Sequence, residues 1–573
     1  MHNFYKSYKS LFVTFFLFIL LTNCSESTTS ADLVLLNGKI ISVDSNNSIY
    51  EAIAIRSDTI MALGSNELIK KFIGDSTKTI DLKNATIIPG FIDSHAHLIG
   101  TGQSLMNLDL STAKNWDEVV LMVAQTASKL KNGEWIIGRG WHQEKWNAAP
   151  RENIEGFPLH KELSEATPDN PVLLSHASGH AIFANAYAMN LANISNDTKD
   201  PDGGTIIRDE EGNPIGVFSE EAAGIIYKKY NESLSQKTKQ ELDQSLKHSI
   251  KLTNDECIKN GITTFHDAGI SFKELNILRE MVDSNQIDIR LYEMLGENYE
   301  MLKDSLRKYQ VVGYGKNHLT VRSIKIYMDG ALGSRGAWFL EPYTDMPEHY
   351  GLNTTPISEI KSIVKLAAEN DFQVCTHAIG DRGNREILNI YENEQNNYST
   401  GYNFRWRIEH AQHLNPADIE RFSQLGVIAS MQGIHCTSDA PFVEKRLGKD
   451  RAENGAYVWQ SLIKSGAIIC NGTDSPVESI NPLQNYYATV TRKTKDGNYF
   501  YENQKMNRIE ALRSYTINGA YAAFEENIKG SLEVGKLADI TVLSKDILTI
   551  PDDEILNTEV LYTIIGGKIC YAK

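Results

Sequence analysis

The chain has 573 residues, 41% of them hydrophobic and 23% charged, with a formal net charge of −16. This is the profile of a globular protein too long for one ordinary core, so a large domain with a smaller companion is expected. The acidic balance excludes a basic nucleic-acid footprint and says little about the substrate.

In chain order, residues 1–24 read as an export signal outside the fold. Lys6 and Lys9 supply a positive start, and LFVTFFLFILL at 11–21 is an apolar run too short for a comfortable membrane span. The run ends in Leu-Thr-Asn-Cys and is followed by a Ser/Thr-rich stretch through Ser30. It resembles a bacterial lipoprotein signal, in which Cys24 is acylated and anchors the mature chain to a membrane, periplasmic or at the cell surface. Asn23 departs from the usual small residue at that place, and an ordinary secretory signal cut nearby is the other reading. Both readings export the protein. Residues 25–31 form a linker.

Residues 32–89 read as short β segments: LVLLNGKIISV, AIAIRSDTIMALG and KTIDLKNATIIP, separated by turn signals. Residues 521–573 read alike, with SLEVGKLADITVL and VLYTIIGGKICYA. Together they predict a small β-sandwich domain built from both chain ends. Between them, at 90–520, helical patterns stop at glycine and short apolar strands follow, as where ELDQSLKHSIKLTNDECIKNG runs into ITTFHDAG. Strands alternating with helices imply a parallel sheet with its active groups at the strands' C-terminal ends.

Eight candidate strands end at residues 95–97, 265–267, 291–294, 324–330, 375–381, 408–412, 429–433 and 470–474. The fold class is therefore α/β, a (β/α)8 TIM-like barrel carrying the small β-sandwich. PVLLSHASGH at 171–180 is also strand-like, but it falls in an insertion of about 105–235, too long for one βα unit. Cys257, Cys375, Cys436, Cys470 and Cys570 are scattered without a CxxC pair and read as buried, reduced thiols.

His95 and His97, two apart at the end of an apolar strand, point to one side and can bind one metal. Such a pair alone is a weak signal. Lys325, His377, His410 and Asp474 then follow, each at the end of an apolar strand pattern. Any one of them could merely cap a helix or bond to backbone, but the ordered set favours a metal centre.

The order of PGFIDSHAHL, a strand lysine, two strand-end histidines and a late aspartate resembles the amidohydrolase superfamily. IKIYMDGALGSRGA at 324–337 and GWHQEKW at 140–146 resemble its amidohydrolase-3 branch, the group related to N-substituted formamide deformylase and YtcJ-like proteins. The resemblance covers about residues 32–573. It implies that His95 and His97 bind the more buried metal and that Lys325 is carboxylated and bridges two metals. It also implies that His377 and His410 hold the second metal, while Asp474 contacts the first and moves protons. The implied cofactor is a divalent metal, by default two zinc ions, with iron, manganese or nickel fitting the same donors.

The implied reaction is hydrolysis of a non-peptide amide or related C–N bond (N-acyl, N-formyl or cyclic amide) of a small molecule. His435, His266 and Arg335 are candidates for the polar shell around the substrate. For Arg335 an ion pair with an acidic loop residue is the equal alternative. Trp141, His142 and Trp146 either line the pocket or form an aromatic cluster within the insertion. His176 and His180 have spacing compatible with a site but belong to that insertion, and His413, His160, His318 and His349 read as surface or loop residues. Asp539 is implied to join the two domains. A ring-amine deaminase and a non-catalytic ligand-binding lipoprotein are the competing readings. The expected partners are a small-molecule substrate and a membrane, with no nucleic acid; a homo-oligomer is compatible with the sequence.

Overall fold

A computed structural model describes residues 30–573 apart from 144–145, 177–180, 202–203, 221, 236, 334 and 400–401. The export signal, Cys24 and His180 therefore lie outside the described residues. The centre is a nearly closed barrel of eight parallel strands. These are β1 (Phe91–Ala96), β2 (Ile262–Ile270), β3 (Arg290–Leu295), β4 (Leu319–Tyr327), β5 (Gln373–Ala378), β6 (Arg407–His410), β7 (Ile428–Met431) and β8 (Ile469–Asn471). Helices cover the outside, so both faces of each strand are buried and the strands read as continuous apolar runs.

Local chemistry sets the junctions. The long helix Lys239–Lys259 opens on a capping box, Thr238 with Glu241. It closes at Gly261, whose φ of +77° lets the chain turn directly into β2. The barrel shuts between β8 and β1 through two backbone bonds at the C-terminal mouth, Asp474 N–H to His95 O (2.7 Å) and His97 N–H to Ser475 O (2.8 Å). Gly472 permits this approach, since a Cβ there would stand 2.4 Å from the His95 nitrogen. Asp93 completes the seam by accepting from the Thr473 backbone (3.0 Å) and hydroxyl (2.6 Å).

Two further bodies flank the barrel. A six-stranded sheet takes Lys39–Ile41, Ile49–Tyr50 and Thr86–Pro89 from the N-terminal side and Ile540–Leu543, Val560–Ile565 and Lys568–Ala572 from the C-terminal side. Its central pairing, Ile540–Leu543 antiparallel to Thr86–Pro89, joins the two chain ends. A four-stranded sheet of Leu33–Leu36, Ala52–Arg56, Thr59–Gly64 and Lys78–Asp81 shares its apolar core, where Leu35 and Ile53 meet Ile87 and Val542. Arg290 of β3 grips Asp539 through Nε (2.6 Å) and Nη2 (2.9 Å), tying this body to the barrel floor.

Between β1 and β2, the chain builds a separate six-stranded sheet from Leu108–Asp109, Ile136–Trp141, Val172–His176, Ala181–Ala184, Gly204–Arg208 and Pro214–Glu220. Val172–His176, the ninth strand-like stretch, pairs here with Ile136–Trp141 and not in the barrel. Two sequence expectations need correction. Cys570 is only half-buried, because it lies on an edge strand of the small sheet. His413 is not a surface residue: it is 2% exposed and packed against Phe339 and Tyr457.

Candidate metal centre and active site

The mouth sides of five barrel strands, β1, β4, β5, β6 and β8, bring together all six residues expected to form the centre. His95, at the end of β1, is fully buried and donates from Nδ1 to Glu409. Its Nε2 faces Lys325 Nζ at 3.4 Å and Asp474 Oδ1 at 3.6 Å. His97, two residues on and partly exposed, reaches the same Asp474 oxygen at 3.1 Å. Lys325 projects from β4 into the barrel with its amine buried, and among the described residues no carboxylate stands within ion-pair distance of it. His377 at the end of β5 packs its ring 4.5 Å from that of His410. Its Nε2 is buried without a hydrogen-bond partner among the described residues, 3.7 Å from Asp329 Oδ1.

His410 and Asp474 are held at φ +73° and +57°. Left-handed backbone costs a residue with a side chain about 1–2 kcal/mol, and it collects where function requires a particular aim. The reason at His410 is visible in β6. Arg407 and Glu409 both turn into the barrel, so strict alternation would send His410 outward. The positive φ brings it back to the centre, where Nδ1 donates to Gln432 Oε1 at 2.8 Å. Ligating atoms of His95, His410 and Asp474 lie within 4.8 Å of one another.

Burial dominates the electrostatics. It drives the His95 pKa down to about 4, helped by the nearby Lys325, and His377 down to about 3 for the same two reasons. His410 is also well below the ordinary imidazole value through burial and its histidine neighbours. These rings are neutral, the state in which nitrogen can donate to a metal. Asp474 is held below the ordinary carboxylate range: burial opposes this, but the hydrogen bond from His97 outweighs it. Desolvation lowers the Lys325 pKa. Neutral imidazole nitrogens, an unpartnered His377 Nε2 and a carboxylate form a nitrogen–oxygen donor set that fits a divalent cation.

The polar shell departs from the sequence reading. His435 is in the site, with Nε2 3.6 Å from Asp474 Oδ2. His266 is not at the substrate surface: it is fully buried in β2, accepting from Arg407 at 3.2 Å beneath the centre. Trp141 is also corrected. It is 0% exposed, its indole N–H donates to Leu174 O at 2.9 Å, and its ring packs in the core of the inserted sheet beside Trp146 and Phe183. Arg335 makes the alternative ion pair, with Asp345 at 2.8 Å.

Four residues were missed by the sequence reading. Glu409 holds His95 and is itself gripped by Arg407 through Nε (2.7 Å) and Nη2 (2.9 Å). Gln432 orients His410, and Gln412 meets His435 Nδ1 at 2.9 Å. Alternation along β6 puts Arg407 and Glu409 on one face, a pattern that could have pointed to both. The glutamines carry no comparable signal.

A parallel barrel whose mouth gathers neutral histidines, a buried lysine and an ionised aspartate defines a metal-dependent hydrolase. The chain belongs to the amidohydrolase family Amidohydro_3, whose pattern matches residues 78–571. It is 33% identical to Protein LONG AFTER FAR-RED 3 of Arabidopsis thaliana, over 94% of this chain and 92% of that one. It is 26% identical to N-substituted formamide deformylase of Arthrobacter pascens, over 95% and 99% of the two chains. Among solved structures it resembles an uncharacterized metal-dependent hydrolase from Pyrococcus furiosus, with TM-score 0.71 and 26% identity over 90% of this chain and all of that one.

Proposed function

We propose that the protein hydrolyses a non-peptide amide or related C–N bond of a small molecule, of N-acyl, N-formyl or cyclic amide type. The observation that carries this reading is Lys325: a lysine buried beside His95 with no carboxylate partner among the described residues. A desolvated amine favours its neutral form, which adds to carbon dioxide with loss of a proton and becomes an anionic carbamate. That would convert a repelled cation into an anion able to help hold a divalent metal. Likeness to a formamide deformylase along nearly the whole chain supports the amide class.

His95, His97, Lys325, His377, His410 and Asp474 are the residues that would hold the divalent cation; zinc suits these donors. A bound cation would make hydroxide available near neutral pH and polarise the scissile carbonyl. The chain's own contribution is proton handling. Asp474, a carboxylate at the centre, takes a proton from the attacking water and returns it to the leaving nitrogen as the C–N bond breaks and the C–O bond forms. We also propose export and lipid anchoring through Cys24, supported by the apolar run at 11–21 and the cysteine that follows it.

The test is metal content per chain with intact mass under native conditions, for wild type and Lys325→Ala. About two metals and one added carbon dioxide, both lost in the variant, support the binuclear amide hydrolase. One metal with no added mass favours the ring-amine deaminase, and none after reconstitution favours a ligand-binding protein.

A further inference from the structure

Four histidines face Asp474: His97 hydrogen-bonds it directly, and the outer partners of His95, His410 and His435 sort those three into two kinds. A carboxylate or an amide oxygen can only accept, and an amide nitrogen can only donate. His95 Nδ1 meets Glu409 and His410 Nδ1 meets Gln432 Oε1, so both rings carry their proton outward and turn a bare Nε2 to the centre. The Gln432 amide is fixed in that sense because its Nε2 donates to Ser430 O at 3.3 Å. His435 is the opposite case. Its Nδ1 meets Gln412 Nε2 at 2.9 Å and accepts there, leaving the proton on Nε2, while Gln412 Oε1 has no hydrogen-bond partner among the described residues.

That N–H points into the centre. His435 is 7% exposed at the start of the helix His435–Leu447, and its ring lies parallel to His410 at 6.1 Å. Its Nε2 is buried with no hydrogen-bond partner among the described residues. Asp474 Oδ2 stands 3.6 Å away, too far for a hydrogen bond, so the donor is left unspent beside the reacting groups. A buried, unspent donor costs folding free energy unless something else uses it.

We propose that His435 is the hydrogen-bond donor to the substrate oxygen and not a metal ligand, with Gln412 as the positioning residue that fixes its tautomer. The assignment rests on the amide-hydrolase reading. As the scissile carbonyl becomes tetrahedral, negative charge grows on its oxygen, and a preplaced N–H serves that oxygen better than the ground-state carbonyl. Gln432 and Glu409 play the complementary part, keeping His410 and His95 as lone-pair donors.

The tautomers can be read directly by NMR on protein labelled with 15N in the histidine rings, since protonated and bare ring nitrogens resonate far apart. The His435 signal, identified by its disappearance in His435→Gln, is expected to carry the proton on Nε2. Gln412→Glu, which can only accept, is expected to move the proton to Nδ1 and provides a second identification should His435→Gln fold poorly. His410 is expected to show the reverse tautomer. In zinc titration, His435→Gln keeps wild-type affinity while His410→Gln loses it. On an N-formyl or N-acyl amide that wild type cleaves, His435→Gln loses about 10²–10³ in kcat with zinc retained. A wild-type His435 protonated on Nδ1, or zinc loss in His435→Gln equal to that in His410→Gln, overturns the proposal. If wild type binds no zinc and cleaves no amide, the hydrolase reading fails, and the tautomer measurement still decides the His435 assignment.

Discussion

Two buried arginine–carboxylate forks hold this molecule, one at each end of the barrel, and they have nearly the same geometry. At the floor, Arg290 grips Asp539 at 2.6 and 2.9 Å; at the mouth, Arg407 grips Glu409 at 2.7 and 2.9 Å. They differ in what surrounds them. The floor pair is closed: Arg290 spends its remaining nitrogen on Lys316 O and Asn317 O, and Asp539 also accepts from Gly566 N–H. The mouth pair continues into His95 and His266, and near it stand imidazole nitrogens on His266, His377 and His435 without hydrogen-bond partners among the described residues. A saturated buried ion pair is a joint between bodies. An unsaturated network is a site held ready for a ligand.

The comparison is sharpened first at the centre. Asp474→Asn is expected to lower turnover about 10²–10⁴-fold, and His377→Ala to abolish it, with far-UV dichroism unchanged. Full activity in either variant removes these residues from the site. The two forks come next. Asp539→Asn leaves Arg290 without its countercharge and is expected to cost about 3–5 kcal/mol in urea unfolding, with zinc affinity intact in the folded fraction. Glu409→Gln is expected to weaken zinc binding about 10–100-fold, because the charged acceptor that orients His95 and raises its basicity becomes a neutral amide. If Asp539→Asn lost zinc and Glu409→Gln did not, the division between joint and site would fail.

His413 gives a smaller, pH-dependent effect. Burial, aided by Arg451, lowers its pKa to about 3, against roughly 6.5 in the unfolded chain. Between these values the unfolded chain binds a proton that the folded chain refuses, so stability falls as pH drops from about 6.5 towards about 3. His413→Phe is expected to shrink that loss when urea midpoints are compared at pH 7 and pH 4. The smallest effect lies in the inserted sheet. Trp141→Phe removes the bond to Leu174 O and is expected to cost about 1–3 kcal/mol while leaving kcat unchanged. A large change in KM would return Trp141 to the pocket.

Much of the barrel was legible because each strand is a short apolar run followed by a polar turn, and the polar residue at the turn is the one at the mouth. His95, His377 and Asp474 carry that signal. His266 and Trp141 carry it too and are nonetheless buried, because a histidine or tryptophan near a strand end looks the same whether it faces a ligand or an arginine beneath it. His413 looked exposed because it lies in a polar stretch after β6, yet Phe339 and Tyr457 from distant segments enclose it.

The sequence by itself determined the strand count, the glycine stops and the order of the candidate ligands, since these depend on local periodicity and backbone preference. Only the tertiary structure decided which nitrogen each histidine turns to the centre. That choice belongs to Glu409, Gln432 and Gln412, whose amide and carboxylate atoms meet those rings only once the strands have closed around them.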